Sequence, residues 1–188
     1  VTHDHPSPRS TKTRRRGWTA TRQARFDELI ERYRFPRHSP PVIDVLDIGV
    51  GHGETTVASA LHAPHLQHVA VELHVPGVAR LLDAVERYQL TTVSVVVTDV
   101  VELLDTLGDA CVGEARVLFP DPWPKARHHV RRLIRPDVVA RFARVLRPGG
   151  VVHLATDHTE YAAWIQRVMS HSGVFTGGAV VRPHWRAD

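Results

Sequence analysis

Apolar residues recur along this chain with two periods. Between residues 19 and 33, Phe26, Leu29, Ile30 and Tyr33 form one stripe of a 3.6-residue repeat, and Thr19 or Thr21 offers an N-cap, so a helix is predicted there. Pro36, Pro40 and Pro41 then mark a linker. Beyond them, short apolar runs alternate with longer amphipathic stretches. Strands are predicted at 42–48, 69–73, 93–98, 115–119 and 151–155, and helices at 54–61, 76–88, 136–146 and 159–170. Pro76 suits the first position of its helix, where a missing N–H costs nothing, and Pro148-Gly149-Gly150 closes the helix that begins at Pro136. The valine-rich run at 93–98, β-branched except at Ser94, predicts a central strand covered on both faces. Strand–helix units joined by short turns imply an α/β fold: a mostly parallel, Rossmann-like sheet flanked by helices, with right-handed crossovers. No internal repeat interrupts this order.

Composition narrows the class. The 188 residues are 43% hydrophobic, enough for one domain with a buried core. Three stretches are expected: a flexible basic arm at 1–17, an N-terminal helix and linker at 18–41, and the main domain at 42–188. A single cysteine, Cys111, excludes an intrachain disulfide framework, and it reads as inert. No apolar run approaches the roughly 18 residues of a membrane span, nor does the start resemble a secretion signal, so a soluble cytoplasmic protein is expected. The net charge of +4 is modest, but its distribution is not even. No acid stands between Asp4 and Asp27, where Arg9, Lys12, Arg14, Arg15, Arg16, Arg22 and Arg25 fall. A second acid-free stretch, between Asp121 and Asp137, holds Lys125, Arg127, Arg131, Arg132 and Arg135. Two such local fields suit a phosphate backbone.

Candidate chemistry begins at the end of the first strand, in Asp47-Ile48-Gly49-Val50-Gly51-His52-Gly53. Glycines permit a tight turn and a close approach of ligand to backbone. A dinucleotide site would favour G-x-G-x-x-G under a pyrophosphate. Here the spacing is G-x-G-x-G with Asp47 beside it. That carboxylate repels pyrophosphate but can receive the ammonium of the methionine part of S-adenosylmethionine, directly or through water. Glu72, closing the second strand, can accept from both ribose hydroxyls. Asp99, closing the third, can accept from the adenine amino group. These groups occupy the carboxyl ends of three successive strands, where open sheets bind ligands.

The fourth strand leads into Phe119-Pro120-Asp121-Pro122-Trp123-Pro124-Lys125, followed by Ala126-Arg127-His128-His129-Val130-Arg131-Arg132. Two prolines fix the backbone around Asp121 and preorganise its carboxylate, and Trp123 can stack beside a base. Together with L-D-I-G-V-G-H-G, V-E-L-H-V-P-G around Glu72, R-P-G-G at 147–150 and A-T-D-H-T-E-Y at 155–161, this stretch resembles the bacterial tRNA (guanine-N7-)-methyltransferase family. The likeness runs from about Arg14 to Pro183.

The resemblance implies a class I methyltransferase sheet, S-adenosyl-L-methionine as donor with S-adenosyl-L-homocysteine as product, and tRNA as substrate, usually at guanine 46 of the variable loop. It implies roles as well. Asp47 stands where the family usually has glutamate, so its carboxylate sits one methylene further back, leaving room for a bridging water. Glu72 matches the ribose acid and Asp99 the adenosine-side acid, beside the turn glycines Gly49, Gly51 and Gly53. Asp121 matches the presumed catalytic aspartate; Lys125 and Asp157 match substrate-contacting residues; Arg127, Arg131 and Arg132 fall in the RNA-contacting stretch. Val130 stands where lysine is common. Relatives continue beyond Pro183 with a T-x-F-E motif and a further strand. These residues are therefore expected to be the ordered portion, or a cut form, of a longer natural chain, with an incomplete pocket wall and an open edge near the C-terminal strands. Monomer and homodimer both stay open.

Other chemistries fit less well. Among 14 histidines there is no H-E-x-x-H, no Cys–His spacing, and His128–His129 do not define a metal site by adjacency. His52 either touches the donor or faces solvent. No G-x-S-x-G turn is present. Two rival readings remain: a class I methyltransferase for another RNA site or a small molecule, and a nucleic-acid-binding module without catalysis.

Overall fold

The computed structural model describes residues 18–36 and 42–180. The predicted arm at 1–17, most of the proline linker and the last eight residues lie outside the described residues. Chain order is α1 (Ala20–Arg32), β1 (Ile43–Ile48), α2 (Glu54–His62), β2 (His68–Val71), α3 (Val75–Arg87), β3 (Val93–Val96), α4 (Val100–Thr106), β4 (Val112–Leu118), a 3-10 turn (Ala126–Arg131), α5 (Pro136–Val145), β5 (Leu146–Ala155) and α6 (Thr159–His171). All four strand pairings are parallel, in the order β3-β2-β1-β4-β5. No helix among the described residues is long and apolar enough to cross a membrane.

The pleat divides the interior in two. Val69 and Val71 of β2 pack with β4, α4, α5 and α6, while Ala70 between them packs with α1, Val78 and Leu81 of α3 and Val95 of β3. Alternation along a strand sends neighbours to opposite faces, so each face receives its own helical layer. Helix α1 starts where predicted: Thr19 Oγ1 accepts from the Arg22 amide at 3.2 Å. Pro136 opens α5, whereas Pro76 is the second residue of α3 rather than the first.

Three sequence expectations need correction. The valine run at 93–98 is not a central strand. β3 lies at the sheet edge; Val93 and Val95 are buried among side chains of α1 and α3, and the strand's outer edge meets the backbone following α1, where Arg34 bridges Val95 and the Val95 amide donates to the Tyr33 carbonyl at 2.7 Å. Helix α4 had no counterpart among the predicted elements. Its signal was present, since Asp99 caps it, Glu102 sits in its first turn, and Leu103, Leu104 and Leu107 recur at helical spacing into the core. Finally, R-P-G-G does more than end α5, because β5 begins at Leu146 and carries it. As expected, β5 is an edge strand, and among the described residues only β4 pairs with it.

Candidate active site

Because every strand runs the same way, all the segments that follow them emerge on one side. After β1 the chain turns through Gly49, Gly51 and Gly53, each with φ between 58° and 83°. A side chain would be strained at any of them, and a Cβ on Gly53 would stand 2.4 Å from Leu81 of α3. Glu72, immediately after β2, braces this turn. One carboxylate oxygen accepts from the Gly51 amide at 2.9 Å, and the other from the amides of Leu73 and His74 at 2.7 and 2.8 Å. Asp99, three residues after β3, accepts from the Val101 amide at 2.8 Å and so caps α4 with one oxygen. The His52 ring lies against Arg80 of α3, at 3.3 Å, on the outer side of the turn.

Asp47 and the turn form the floor of a cleft of about 180 Å³ that is also lined by Thr55, Thr56, Arg116, Leu118 and Phe119. Asp47 is only 3% exposed, and its Oδ2 is buried without a hydrogen-bond partner. Burial pushes its carboxyl above the usual carboxylate range, against the opposing pull of the Arg116 guanidinium and a hydrogen bond from Thr56. An orphaned buried acceptor in a cleft is unusual in a folded protein and suits a ligand that brings a donor. The ammonium of S-adenosylmethionine is such a donor.

Phe119 carries the cleft wall directly into the acidic loop. It and Trp123 both have positive φ, 54° and 44°, so two non-glycine residues in left-handed conformation bracket Asp121. Each such residue costs about 1–3 kcal/mol, and strain of this kind persists only where the surroundings hold it. Asp121, Lys125, Arg127 and Arg131 are exposed, as are Asp157, two residues beyond β5, and Val130. Trp123 is half-buried: Arg131 lies over its ring at 5.0 Å and His128 meets it edge-on. Burial and the nearby charges of Arg131, Arg127 and Lys125 hold the His128 pKa below its ordinary value.

Arg132 does not belong with its exposed neighbours. Its side chain has no solvent exposure, which removes it from the phosphate-contacting set. Its guanidinium donates to the Pro122 carbonyl at 2.9 Å, pairs with Glu160, and lies over the rings of Tyr161 and Trp164 at 5.0 and 5.2 Å. Trp164 Nε1 donates to the Ile134 carbonyl at 2.7 Å, while the Tyr161 hydroxyl accepts from the Ile134 amide. Arg132 thus ties the loop around Asp121 to α6. The basic run concealed this, because composition does not tell which member of a pair of arginines turns inward. Arg116 was overlooked too, although Glu114, just before the strand predicted at 115–119, and Arg116 within it are a signal.

Two outcomes follow. Arg132→Ala should lower unfolding free energy by about 2 kcal/mol or more, the loss expected when a fully buried side chain packed on two rings is truncated, whereas Arg131→Ala should change it by no more than about 0.5 kcal/mol; equal urea midpoints for the two variants would contradict this. Asp47 is harder to ionise folded than unfolded, so its favourable contribution is complete below the usual carboxylate range and is lost as pH rises through the elevated pKa. Relative to Asp47→Asn, the wild type should therefore lose stability as pH rises above the usual carboxylate range. Parallel stability–pH curves would refute it.

The fold and the chain have known counterparts. A precorrin-6y C5,15-methyltransferase from Geobacter metallireducens superposes with a TM-score of 0.57 at 15% identity, over 87% of this chain and 75% of that one. The likeness is one of fold, the class I methyltransferase sheet. Residues 42–178 match the family model described as "Putative methyltransferase". The tRNA (guanine-N(7)-)-methyltransferase of Nitrosomonas europaea is 36% identical over 97% of this chain and 88% of its own length, and that of Mycolicibacterium gilvum is 46% identical over 71% and 52%. By this identity and coverage, the chain belongs to the tRNA (guanine-N(7)-)-methyltransferase family.

Proposed function

We propose that this chain transfers a methyl group from S-adenosylmethionine to N7 of a guanine in tRNA, with guanine 46 of the variable loop as the target. The observation that carries this reading is the continuity of the site. The cleft with the orphaned Asp47 oxygen runs through Phe119 into the strained loop of Asp121, which adjoins the exposed cations Lys125, Arg127 and Arg131. A small-molecule methyltransferase leaves those cations without a role, and a non-catalytic RNA-binding module leaves the cleft without one.

The donor side divides among residues already placed. Asp47 receives the ammonium. Glu72 has three amides on its oxygens, and a carboxylate offers about four lone-pair sites, so it retains capacity for ribose hydroxyls. Asp99 keeps one oxygen beyond its helix cap for the adenine amino group. When bound, the donor supplies an electrophilic methyl on a positively charged sulfur.

Guanine N7 has an in-plane lone pair and no proton, so no general base is required. The protein's work is alignment. Positive charge grows on the base as N7 is methylated, and Asp121, held by its bracketing residues, opposes it electrostatically while gripping the base edge. Asp157 and Lys125 flank the loop and hold or orient the base. Freeing a guanine from a folded tRNA costs roughly a few kcal/mol of unstacking, offset by phosphate contacts from Arg127 and Arg131. A tRNA enzyme of this kind works in the cytoplasm, as a monomer or a homodimer.

Radiolabelled methyl transfer to unmodified tRNA, followed by nucleoside analysis, should yield 7-methylguanosine; a labelled nucleoside of another kind, or none, would reject the reading. Asp121→Ala should retain donor and tRNA affinity while losing at least tenfold in single-turnover rate, about 1.4 kcal/mol at the transition state. An unchanged rate at saturating tRNA would remove Asp121 from the mechanism. Replacing Arg127 and Arg131 together by Ala should weaken every tRNA alike and flatten the salt dependence of binding by about one per lost phosphate contact. A loss confined to one RNA sequence, at unchanged slope, would point to base readout.

A further inference from the structure

The donor cleft has a fixed cation as well as a fixed anion. In the β1–β4 register Arg116 stands directly opposite Asp47, so both side chains leave the same face of the sheet. Arg116 is held from two sides. Its Nε donates to Glu114, and its Nη1 donates to Ser59 Oγ at 2.8 Å, from the far wall formed by α2. Ser59 is steadied in turn by the buried His68, whose Nε2 lies 3.0 Å from the same hydroxyl. The Arg116 side chain is 20% exposed, lines the cleft, and uses Nη2 in none of these bonds.

Neutralising Asp47 does not account for this arrangement. The closest approach of the two groups is 4.0 Å, beyond hydrogen-bond distance, and Asp47 Oδ2 stays unpartnered. Glu114 already balances the guanidinium charge. The glycine turn gives an anion little alternative, because the amides of Gly49, Gly51 and Gly53 are taken by the Val71 carbonyl, Glu72 and the Val50 carbonyl. A carboxylate and a guanidinium about 4 Å apart on one wall match the ammonium and carboxylate of an α-amino acid, which are joined through a single carbon.

We infer that Arg116 receives the α-carboxylate of the donor's methionine moiety while Asp47 receives its ammonium, so that the cleft selects donors with an intact amino-acid end. This rests on the donor site proposed above. Charge-assisted hydrogen bonds to a carboxylate are the strong ones, and a preheld guanidinium makes them with little ordering cost.

Calorimetric titration tests it with two ligands, S-adenosylmethionine and its decarboxylated analogue, which keeps the ammonium and lacks the carboxylate. Wild-type protein should bind the analogue at least tenfold more weakly. Arg116→Gln should bind the intact donor about tenfold more weakly than wild type does, yet bind the analogue as wild type does, so that the two losses do not add. Arg116→Lys, which keeps a cation at the same strand position, should recover part of the discrimination and guards against a fold defect in the glutamine variant. Equal weakening of both ligands in either variant would make Arg116 a structural residue and overturn the inference, as would wild-type protein that binds both ligands alike. Wild-type protein that binds neither ligand would overturn the donor site itself, a distinguishable result.

Discussion

Parallel pairing is the constraint from which the rest of this molecule follows. Five strands that all point one way place five carboxyl ends along one rim, and each strand there delivers a different tool. β1 delivers the glycine turn, β2 Glu72, β3 the segment to Asp99, β4 the acidic loop and β5 Asp157. None of these residues needs to be near another in sequence. The sheet supplies the proximity, and the two helical layers make it rigid enough for a cleft of about 180 Å³ to keep its shape.

Rigidity at the rim is partly electrostatic. Glu72 welds the end of β2 to the turn after β1 and to the start of α3, so a residue read as a ligand acceptor is also a brace. Arg132 does similar work for the acidic loop. Its charge sits out of water with Glu160 as partner and two aromatic faces against it, and Pro122 is held through its carbonyl. Left-handed backbone at Phe119 and Trp123 needs such an anchor. The loop's prolines restrict its backbone, and its left-handed residues are held by the surrounding structure.

Much of this was legible in the chain. Periodicity placed the strands and all helices but α4, and the glycine spacing with its carboxylates located the rim, because these signals are local. Apart from α4, whose signal was local, what escaped was non-local. The valines of β3 read as central because a buried strand looks the same whether a neighbouring strand or the backbone after α1 covers it. Arg131 and Arg132 are adjacent and chemically identical, yet one lies over Trp123 at the surface and the other is buried against Tyr161 and Trp164; only the packing of α6 decides which. Arg116 was half hidden in the same way, since Glu114 stands on its own strand but Ser59 comes from α2.

The covering of β3 has a consequence for how the protein behaves in crowded solution. A bare strand edge is a template on which another chain can add, and chains with open edges assemble into fibres and clumps. Here the polypeptide guards one edge with its own backbone, where Tyr33 and Arg34 lie along β3. On the opposite flank, among the described residues, β5 carries other deterrents: Pro148 has no amide to offer, Gly149 turns left-handed, and Arg147 and His153 bring charge or polarity. The short segment after α1 is therefore also a shield, and its loss would expose the molecule to its own copies before it cost the site any residue.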